Sequence, residues 1–421
     1  MSSASPIQSS LPIELIEEIL DHVNCLPAKD IQSILCHSSR GYNSGRVATL
    51  ASCSLVCRAW LPRSRFHLFR SVYLEPNNYV SFLLLITSPF CSFLNSVLEL
   101  VLSDEYQEGT IYSGCEDPDG DDYWIHKVLP NFALSLFADT RVLTIHAARF
   151  DYMSEDFAKT LDHLSGPTTI THLAIRYCVF WTQDHLIQAL SSIKSLDAVD
   201  LCCPTLRTFP ERDDKTQSPL PTLPASVSSL MINIDSAENI VWMARIISVT
   251  GASLKRLNIR LWPRTVTWDR CSMYQISSKL IFYLVNNFYN ALNFDCHLNL
   301  EIIAFDSLSL GTRADKLDGR MKNRHVPAIL RKITTSSIRE VILNLAGNNS
   351  KLENPDDLDS LDLESMGEIL RQKNYSKLEL LALLRVDCHI RPKVKKILAE
   401  RMRGLNQPIS LYMSHERGWS C

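Results

Sequence analysis

Residues Ser253–Leu261 read SLKRLNIRL, with Leu257, Ile259 and Leu261 alternating with polar positions. That period of two belongs to a strand with one buried face. The phrase returns as THLAI at Thr171, KSLDAVDL at Lys194 and SIREVILNL at Ser337. Working outward on the same pattern predicts strands over Ser71–Leu74, Val97–Leu102, Arg141–His146, Ile170–Arg176, Leu196–Leu201, Ser229–Ile234, Leu254–Leu261, Leu300–Phe305, Ile338–Leu345 and Leu378–Leu383. Between them fall helical stretches: Asn78–Ile86, Pro130–Phe137, Ser154–Leu164, Gln183–Leu190, Ala237–Val249, Ser277–Leu284, Val326–Ile333, Leu363–Lys373 and Lys393–Leu405.

Strand and helix in regular alternation predict an α/β chain built as a solenoid or a parallel sheet. Spacing bears on the choice. From Leu143 through Leu173, Val199 and Leu230 to Leu257 the steps are about 26 to 31 residues, slightly beyond the roughly 20 to 29 of leucine-rich repeats. The steps from Leu98 to Leu143 and from Leu257 to Ile302 are longer, so the repeat is degenerate and carries insertions. The asparagine that such repeats place a few positions after the strand leucines does not recur regularly. A doubly wound cofactor-binding sheet calls for a glycine-rich strand-to-helix turn. Neither GxGxxG nor GxxxxGK[ST] occurs, and 13 glycines serve all 421 residues. The expectation is an irregular, leucine-rich-repeat-like strand-helix solenoid over residues 75–405, with 406–421 as a C-terminal tail.

The N-terminal 74 residues follow another rule. Leu11, Leu15, Ile16, Ile19, Leu20 and Val23 in LPIELIEEILDHV share one helical face. Pro12 suits the first turn, and Glu14, Glu17 and Glu18 suit the positive end of the helix dipole. In VATLASCSLVCRAWLPRSRFHLFRSVYL (47–74), Leu50, Cys53, Ser54, Cys57 and Leu61 form a second helical stripe, with Val56 and Trp60 on an adjoining face. Two short amphipathic helices are predicted, and helices this short take their stability from packing together.

LPxELxxxIL followed by SLVCRAW and the tail RSRFHLFRSVYL resembles an F-box, in the style of fungal F-box proteins. The resemblance implies a small helical module that docks on a Skp-type adaptor and, through it, a cullin-RING ubiquitin ligase. Carried over by motif, the adaptor-facing and module-core positions are Leu11, Pro12, Leu15, Ile19, Leu20, Val56, Cys57 and Trp60. The module then spans 11–74, after a disordered lead at 1–10. Between its halves lies an insert, 24–46, longer than the tight turn usual in the family. Within it Asp30–Cys36 fits one extra helical turn and Ser38–Gly45 an exposed loop. An insert of this kind costs little, because loop closure grows only with the logarithm of length.

Composition removes several functions. The net charge of -3 gives no general attraction to nucleic acid. MSSASPIQSS lacks the basic and apolar regions of a secretory signal. The apolar region Val80–Leu102 is interrupted by Thr87, Ser88, Pro89, Asn95 and Glu99, each half falling short of the roughly 20 residues that span a bilayer. The 13 cysteines lie scattered without a CxxC, many in apolar runs such as AVDLCC, as in a cytoplasmic or nuclear protein. The close sets, Cys53 with Cys57 and Cys202 with Cys203, lack ligand partners nearby, so no metal or other cofactor is expected.

No GxSxG elbow and no HExxH helix occurs, and His172, Cys178 and His185 around one strand read as packing residues. An enzyme is not expected. Three insertions offer loops for recognition: acidic Asp104–Tyr123, proline-rich Glu211–Ala225 and basic Thr312–His325. The helix RPKVKKILAERMRGL from Arg391 sets Val394, Ile397, Leu398, Met402 and Leu405 against a basic face, as needed to close the end of a solenoid. The expected chain is a substrate receptor: the head joins the ligase and the body holds an unidentified protein by proximity. The alternative is a non-catalytic repeat scaffold whose helical hairpin is only a cap.

Overall fold

In the computed structural model the described residues are 12–25, 44–89, 91–104, 124–125, 136–152, 169–207, 223–234, 240–261, 286–308, 325–345, 358, 361–384, 386, 391–402 and 409–412. The chain forms two compact units, Met1–His146 and Ala147–Cys421.

The first unit opens with three helices, α1 (Ile13–Cys25), α2 (Ser44–Val56) and α3 (Leu61–Phe69), and continues as β1 (Ser71–Leu74), α4 (Tyr79–Ile86), β2 (Glu99–Ser103) and β3 (Val142–His146). The single helix predicted through Leu50, Cys57 and Leu61 is two helices. α2 ends at Val56, and a turn over Arg58–Trp60 precedes α3. The break follows from Pro62 near the start of α3. In a continuous helix its ring would strike the carbonyl of Arg58, whereas in a first turn its missing N–H is no loss. α2 also starts at Ser44, inside the span assigned to the insert; 26–43, including Asp30–Cys36, lie outside the described residues.

β1, β2 and β3 are parallel, with Val72, Leu100 and Leu143 in one register row and Leu74, Leu102 and Ile145 in the next. All six are buried. Aromatic rings fill the space beside them: Phe69 stacks on Phe93 at 3.8 Å, and Phe82 contacts both Phe93 and Phe137.

In the second unit parallel strands follow in the order β4 (His172–Arg176), β6 (Ala198–Cys202), β8 (Ser229–Ile234), β9 (Arg256–Leu261), β10 (Ile302–Leu308), β11 (Glu340–Leu345), β12 (Leu380–Leu384) and β13 (Ile409–Tyr412). A small second pair is made by β5 (Val179–Phe180) and β7 (Thr205–Leu206). The helices between are α5 (Gln183–Ser192), α6 (Ile240–Val249), α7 (His325–Lys332), α8 (Leu363–Leu370) and α9 (Arg391–Arg401), with residues 286–291 also helical. This is the α/β strand-helix solenoid expected from the alternation.

Register explains why so degenerate a repeat folds. Leu173, Val199, Leu230, Leu257, Ile303, Val341, Leu381 and Ile409 stand side by side across the strands. Two residues on, Ile175, Leu201, Ile232, Ile259, Phe305, Leu343, Leu383 and Leu411 form a second row. From Leu173 to Leu381 and from Ile175 to Leu383 every member of these rows is buried. The partner of Leu257 is Ile303, not Ile302, which pairs with Arg256 on the other face. In a strand a shift of one residue exchanges faces, so Ile303 is the core residue.

Hydroxyl and amide side chains sew successive repeats together just before their strands. Ser195 Oγ donates to Ile170 O at 2.7 Å, Ser226 Oγ to Leu196 O at 2.6 Å, Asn299 Nδ2 to Ala252 O at 2.9 Å and Ser337 Oγ to Leu298 O at 2.6 Å. Each satisfies a carbonyl that the turn into the strand leaves without a ladder partner. After the strands, Ala147, Tyr177 and Cys203 adopt left-handed backbone at φ 59°, 54° and 51°. Their amides donate onward to Arg176 O, Cys202 O and Asn233 O.

α9 buries Val394 and Leu398, and Met402 just beyond it is buried as well, on the apolar side predicted for this stretch. It does not close the end of the solenoid: β13 follows it and pairs with β12, so the sheet runs into the segment assigned to the C-terminal tail.

Candidate interaction surfaces

The head is built from its charges and its apolar stripes together. Ile16, Leu20 and Leu50 are buried at its centre, with Val23, Cys53, Trp60 and Leu68 packed around them. Asp21 on α1 ties this bundle to α3. It accepts Arg63 Nε and Nη2, each at 2.7 Å, and lies 2.7 Å from His67 Nε2. The Arg63 bonds hold the Asp21 carboxyl down to about 2. Burial lowers the His67 imidazole more than Asp21 raises it. His67 is therefore neutral near pH 7 and donates to Asp21 from Nε2.

The residues carried over from the motif divide cleanly. Leu20 is in the core, and Trp60 is half-buried against it. Pro12, Leu15, Ile19, Val56 and Cys57 are exposed, with Leu15 46%, Ile19 42% and Val56 63% accessible. Ile13 at 47% and Leu55 at 85% extend the exposed apolar set, and neither was predicted. Leu11 lies outside the described residues. An amphipathic helix normally buries its whole stripe against its own core. Here Ile16 and Leu20 face inward, while Leu15 and Ile19, one position earlier in each case, are left to solvent.

The second unit presents a different chemistry on the sheet face opposite its leucine rows. Arg176, Cys202, Asn233 and Arg260 follow one another in register, with Ala174, Asp200, Met231 and Asn258 beside them. Arg176 Nη2 donates to the buried Asp200 at 3.0 Å. Burial pushes the Asp200 carboxyl up, and Arg176 opposes that rise. Farther along, the side chains on this face turn apolar, with Ala304, Ile342 and Ala382 buried together beside Ile302, Leu380 and Leu384.

A third cluster sits just beyond β4 and β6. Asp151, buried, accepts Arg149 Nε at 2.9 Å and Nη2 at 2.8 Å, and Arg207 Nη1 at 3.0 Å. The Arg207 guanidinium lies 5.5 Å from the centre of the Trp181 ring. Nothing in the sequence patterns marked this cluster, whose members are separated along the chain and joined only by strand register.

Among the other predicted features, Cys178 is buried and its thiol donates to Arg176 O. Of the three recognition loops only Asp104, 223–225 and His325 are described. Among the described residues no three His, Cys, Asp or Glu side chains converge as metal ligands. No helix among them is long and apolar enough to cross a membrane.

No family model matches the sequence, and no curated protein matches it. Among solved structures, the chain aligns with TLR13 from a TLR13–ssRNA13 complex at 11% identity and a TM-score of 0.26. That alignment covers 59% of this chain and 29% of TLR13. It also aligns with an internalin (inlF) from Listeria monocytogenes at 10% identity and a TM-score of 0.21, covering 82% of this chain and 96% of the internalin. Likenesses of this strength carry no argument about function.

Proposed function

We propose that the chain is a non-catalytic substrate receptor of a Skp-cullin-RING ubiquitin ligase, its helical head docking on a Skp-type adaptor and its strand-helix body holding a protein substrate. The observation that carries this reading is the division of the head's apolar residues. Ile16, Leu20 and Leu50 make a core of their own, and Leu15, Ile19 and Val56 remain outside it. A hairpin serving only as a cap has no use for a second apolar set. Exposed apolar side chains held on a folded surface are what a partner protein buries. The F-box resemblance names the partner, and the Asp21–Arg63 bonds give the surface a fixed shape before it meets one. The body's contribution is proximity, which raises the effective concentration of a bound substrate without chemistry of its own.

The test is capture of a purified Skp-type adaptor by the intact chain and by a Leu15→Asp, Ile19→Asp double variant. Point variants are preferable to truncation through Leu74, because that would strip β1 from β2. Capture by the intact chain and its loss in a folded double variant is the expected result. Failure of the intact, folded chain to capture the adaptor would refute the ligase role and leave a repeat scaffold for protein interaction.

A further inference from the structure

Two thiols meet at the end of β6. Neighbouring side chains in a strand point to opposite faces, so adjacent cysteines ordinarily keep their sulfurs apart. Cys203 breaks that alternation. Its backbone is left-handed, at φ 51°, and its Sγ lies 3.9 Å from Cys202 Sγ. Both residues are thiols and both are buried. The turn belongs to the repeat and not to the sulfurs, since Ala147 and Tyr177 leave β3 and β4 through the same left-handed step. In those two places the flanking pairs are His146–Ala147 and Arg176–Tyr177. After β6 the same geometry falls on a dithiol.

The surroundings favour Cys202 as the reactive sulfur. Asn233 Nδ2 donates to Cys202 Sγ at 3.2 Å. The hydrogen bond with Cys203 lowers the Cys202 thiol below its ordinary value, and burial opposes that fall. The thiolate is the form that attacks an oxidant. A sulfenic acid formed there condenses with a nearby thiol, and Cys203 is already in contact. With Cys202 7% and Cys203 5% accessible, a bulky competing thiol is kept away from the pair.

The peptide group between the two cysteines joins three strands. Cys202 O accepts Tyr177 N at 2.8 Å, and Cys203 N donates to Asn233 O at 3.0 Å. One amide plane therefore ties the exit of β4 to β8. The ring closed by a bond between the sulfurs would contain that plane.

We propose that Cys202 and Cys203 are a reversible oxidation site, closing to a vicinal disulfide when the chain meets a hydroperoxide and loosening the amide plane they share. The Cys202 thiolate attacks a peroxide oxygen, so that an S–O bond forms and the O–O bond breaks. The departing oxyanion takes up a proton and leaves as water or an alcohol. The Cys203 sulfur then attacks the sulfenic sulfur, an S–S bond replaces the S–O bond, and the hydroxyl leaves as water with the Cys203 proton. Two electrons pass from the sulfurs to the peroxide. Adjacent Cα atoms stand about 3.8 Å apart, short of the roughly 4.4 Å at which unstrained disulfides begin. The bond is therefore readily reduced, and a dithiol reductant returns both thiols. Closure draws the sulfurs from 3.9 Å to about 2 Å, which turns the shared plane away from Tyr177 and Asn233. This site stands apart from the receptor reading and does not rest on it.

The full, reduced chain is exposed to hydrogen peroxide while folded, then quenched, unfolded, alkylated and digested with trypsin. Cleavage after Lys194 and Arg207 releases Ser195–Arg207, SLDAVDLCCPTLR, whose only cysteines are these two. Expected is a peptide that resists alkylation and is lighter by two hydrogen atoms, reverting when dithiothreitol precedes alkylation. In Cys203→Ala the sulfenic acid on Cys202 has no neighbour to condense with and is captured by dimedone. Ala147 holds the equivalent left-handed position, so this variant keeps the turn. Hydrogen exchange of the Tyr177 amide should be about tenfold faster in the oxidised chain than in the reduced one. Full alkylation of both sulfurs at a peroxide dose that oxidises the exposed Cys57 would overturn the proposal. So would sulfinic acids without a linkage, a linkage to Cys178 or another cysteine, or no dimedone adduct in a folded Cys203→Ala. Unchanged Tyr177 exchange in the disulfide form would refute the loosening of the shared plane.

Discussion

Asp21 on the first helix and Arg63 on the third meet through two parallel bonds, Nε to Oδ1 and Nη2 to Oδ2, both 2.7 Å long. They join elements that the long connection between α1 and α2 leaves without a short covalent route. The pair is partly accessible, so solvent screening reduces its worth toward that of a surface ion pair. Replacing Arg63 with Ala is expected to cost the head about 1 kcal/mol. Hydrogen exchange of the α1 amides measures it, and unchanged protection would show that the apolar cluster alone holds α1.

The same contact fixes the head's response to acid. Asp21 is held down to about 2 by the Arg63 bonds, below its unfolded value of 3.8. The stability it contributes is complete above that unfolded value and is lost as pH falls toward 2. His67 is lowered from 6.5 chiefly by burial. Its folded state prefers the neutral ring, so its contribution is complete above 6.5 and declines as pH falls through the lower folded value. Protection of α1 and α3 should therefore decline on acidification below about pH 6.5, and His67→Gln should remove the first part of that decline.

Leu15 and Leu20 are five residues apart on one helix and should behave oppositely. Leu20 is wholly buried, and Leu20→Ala is expected to cost about 3 kcal/mol. Leu15 is 46% exposed, and Leu15→Ala should stay within about 0.5 kcal/mol. Denaturant unfolding followed through the helical signal of the head distinguishes them. Equal costs would mean that Leu15 belongs to the core and is not available to a partner.

These two leucines also show where sequence reading stops. Helical periodicity gathers Leu15, Ile16, Ile19 and Leu20 on one side, but it does not say which half of a broad stripe its own partner helix covers. The strands were legible because their buried rows alternate strongly with the positions between them. LEIIAF at 300–305 was misread by one residue because adjacent isoleucines leave the period undecided. β5 and β7 are too short to show a period. β13, whose Ile409 and Leu411 do alternate, follows a glycine- and proline-containing stretch that reads as a tail. The Asp151–Arg207 bond spans 56 residues and has no local signature at all.

Asp104 is the reverse of Asp21. It is buried, it accepts Ile125 N at 3.0 Å, and desolvation pushes its carboxyl up to about 7. Because the folded value lies above the unfolded 3.8, its contribution is complete below that unfolded value and is lost as pH rises through about 7. Asp104→Asn keeps an oxygen for Ile125 and removes the charge. The variant should unfold at a higher temperature than the parent at pH 8. A parent whose midpoint does not fall between pH 5 and pH 8 relative to the variant would contradict this assignment.

The register rows have a consequence for how such a body can change over generations. Leu173 reaches Val199 by a short connection and Leu257 reaches Ile303 by a long one, yet both steps land in the same row. Closing a longer loop adds little free energy. Strand placement is thus uncoupled from the length of what lies between strands, and inserted or deleted segments need not disturb their neighbours. A tag or a foreign binding loop placed between β9 and β10 meets a lattice that already tolerates variable spacing, which makes this body a host for grafted sequence.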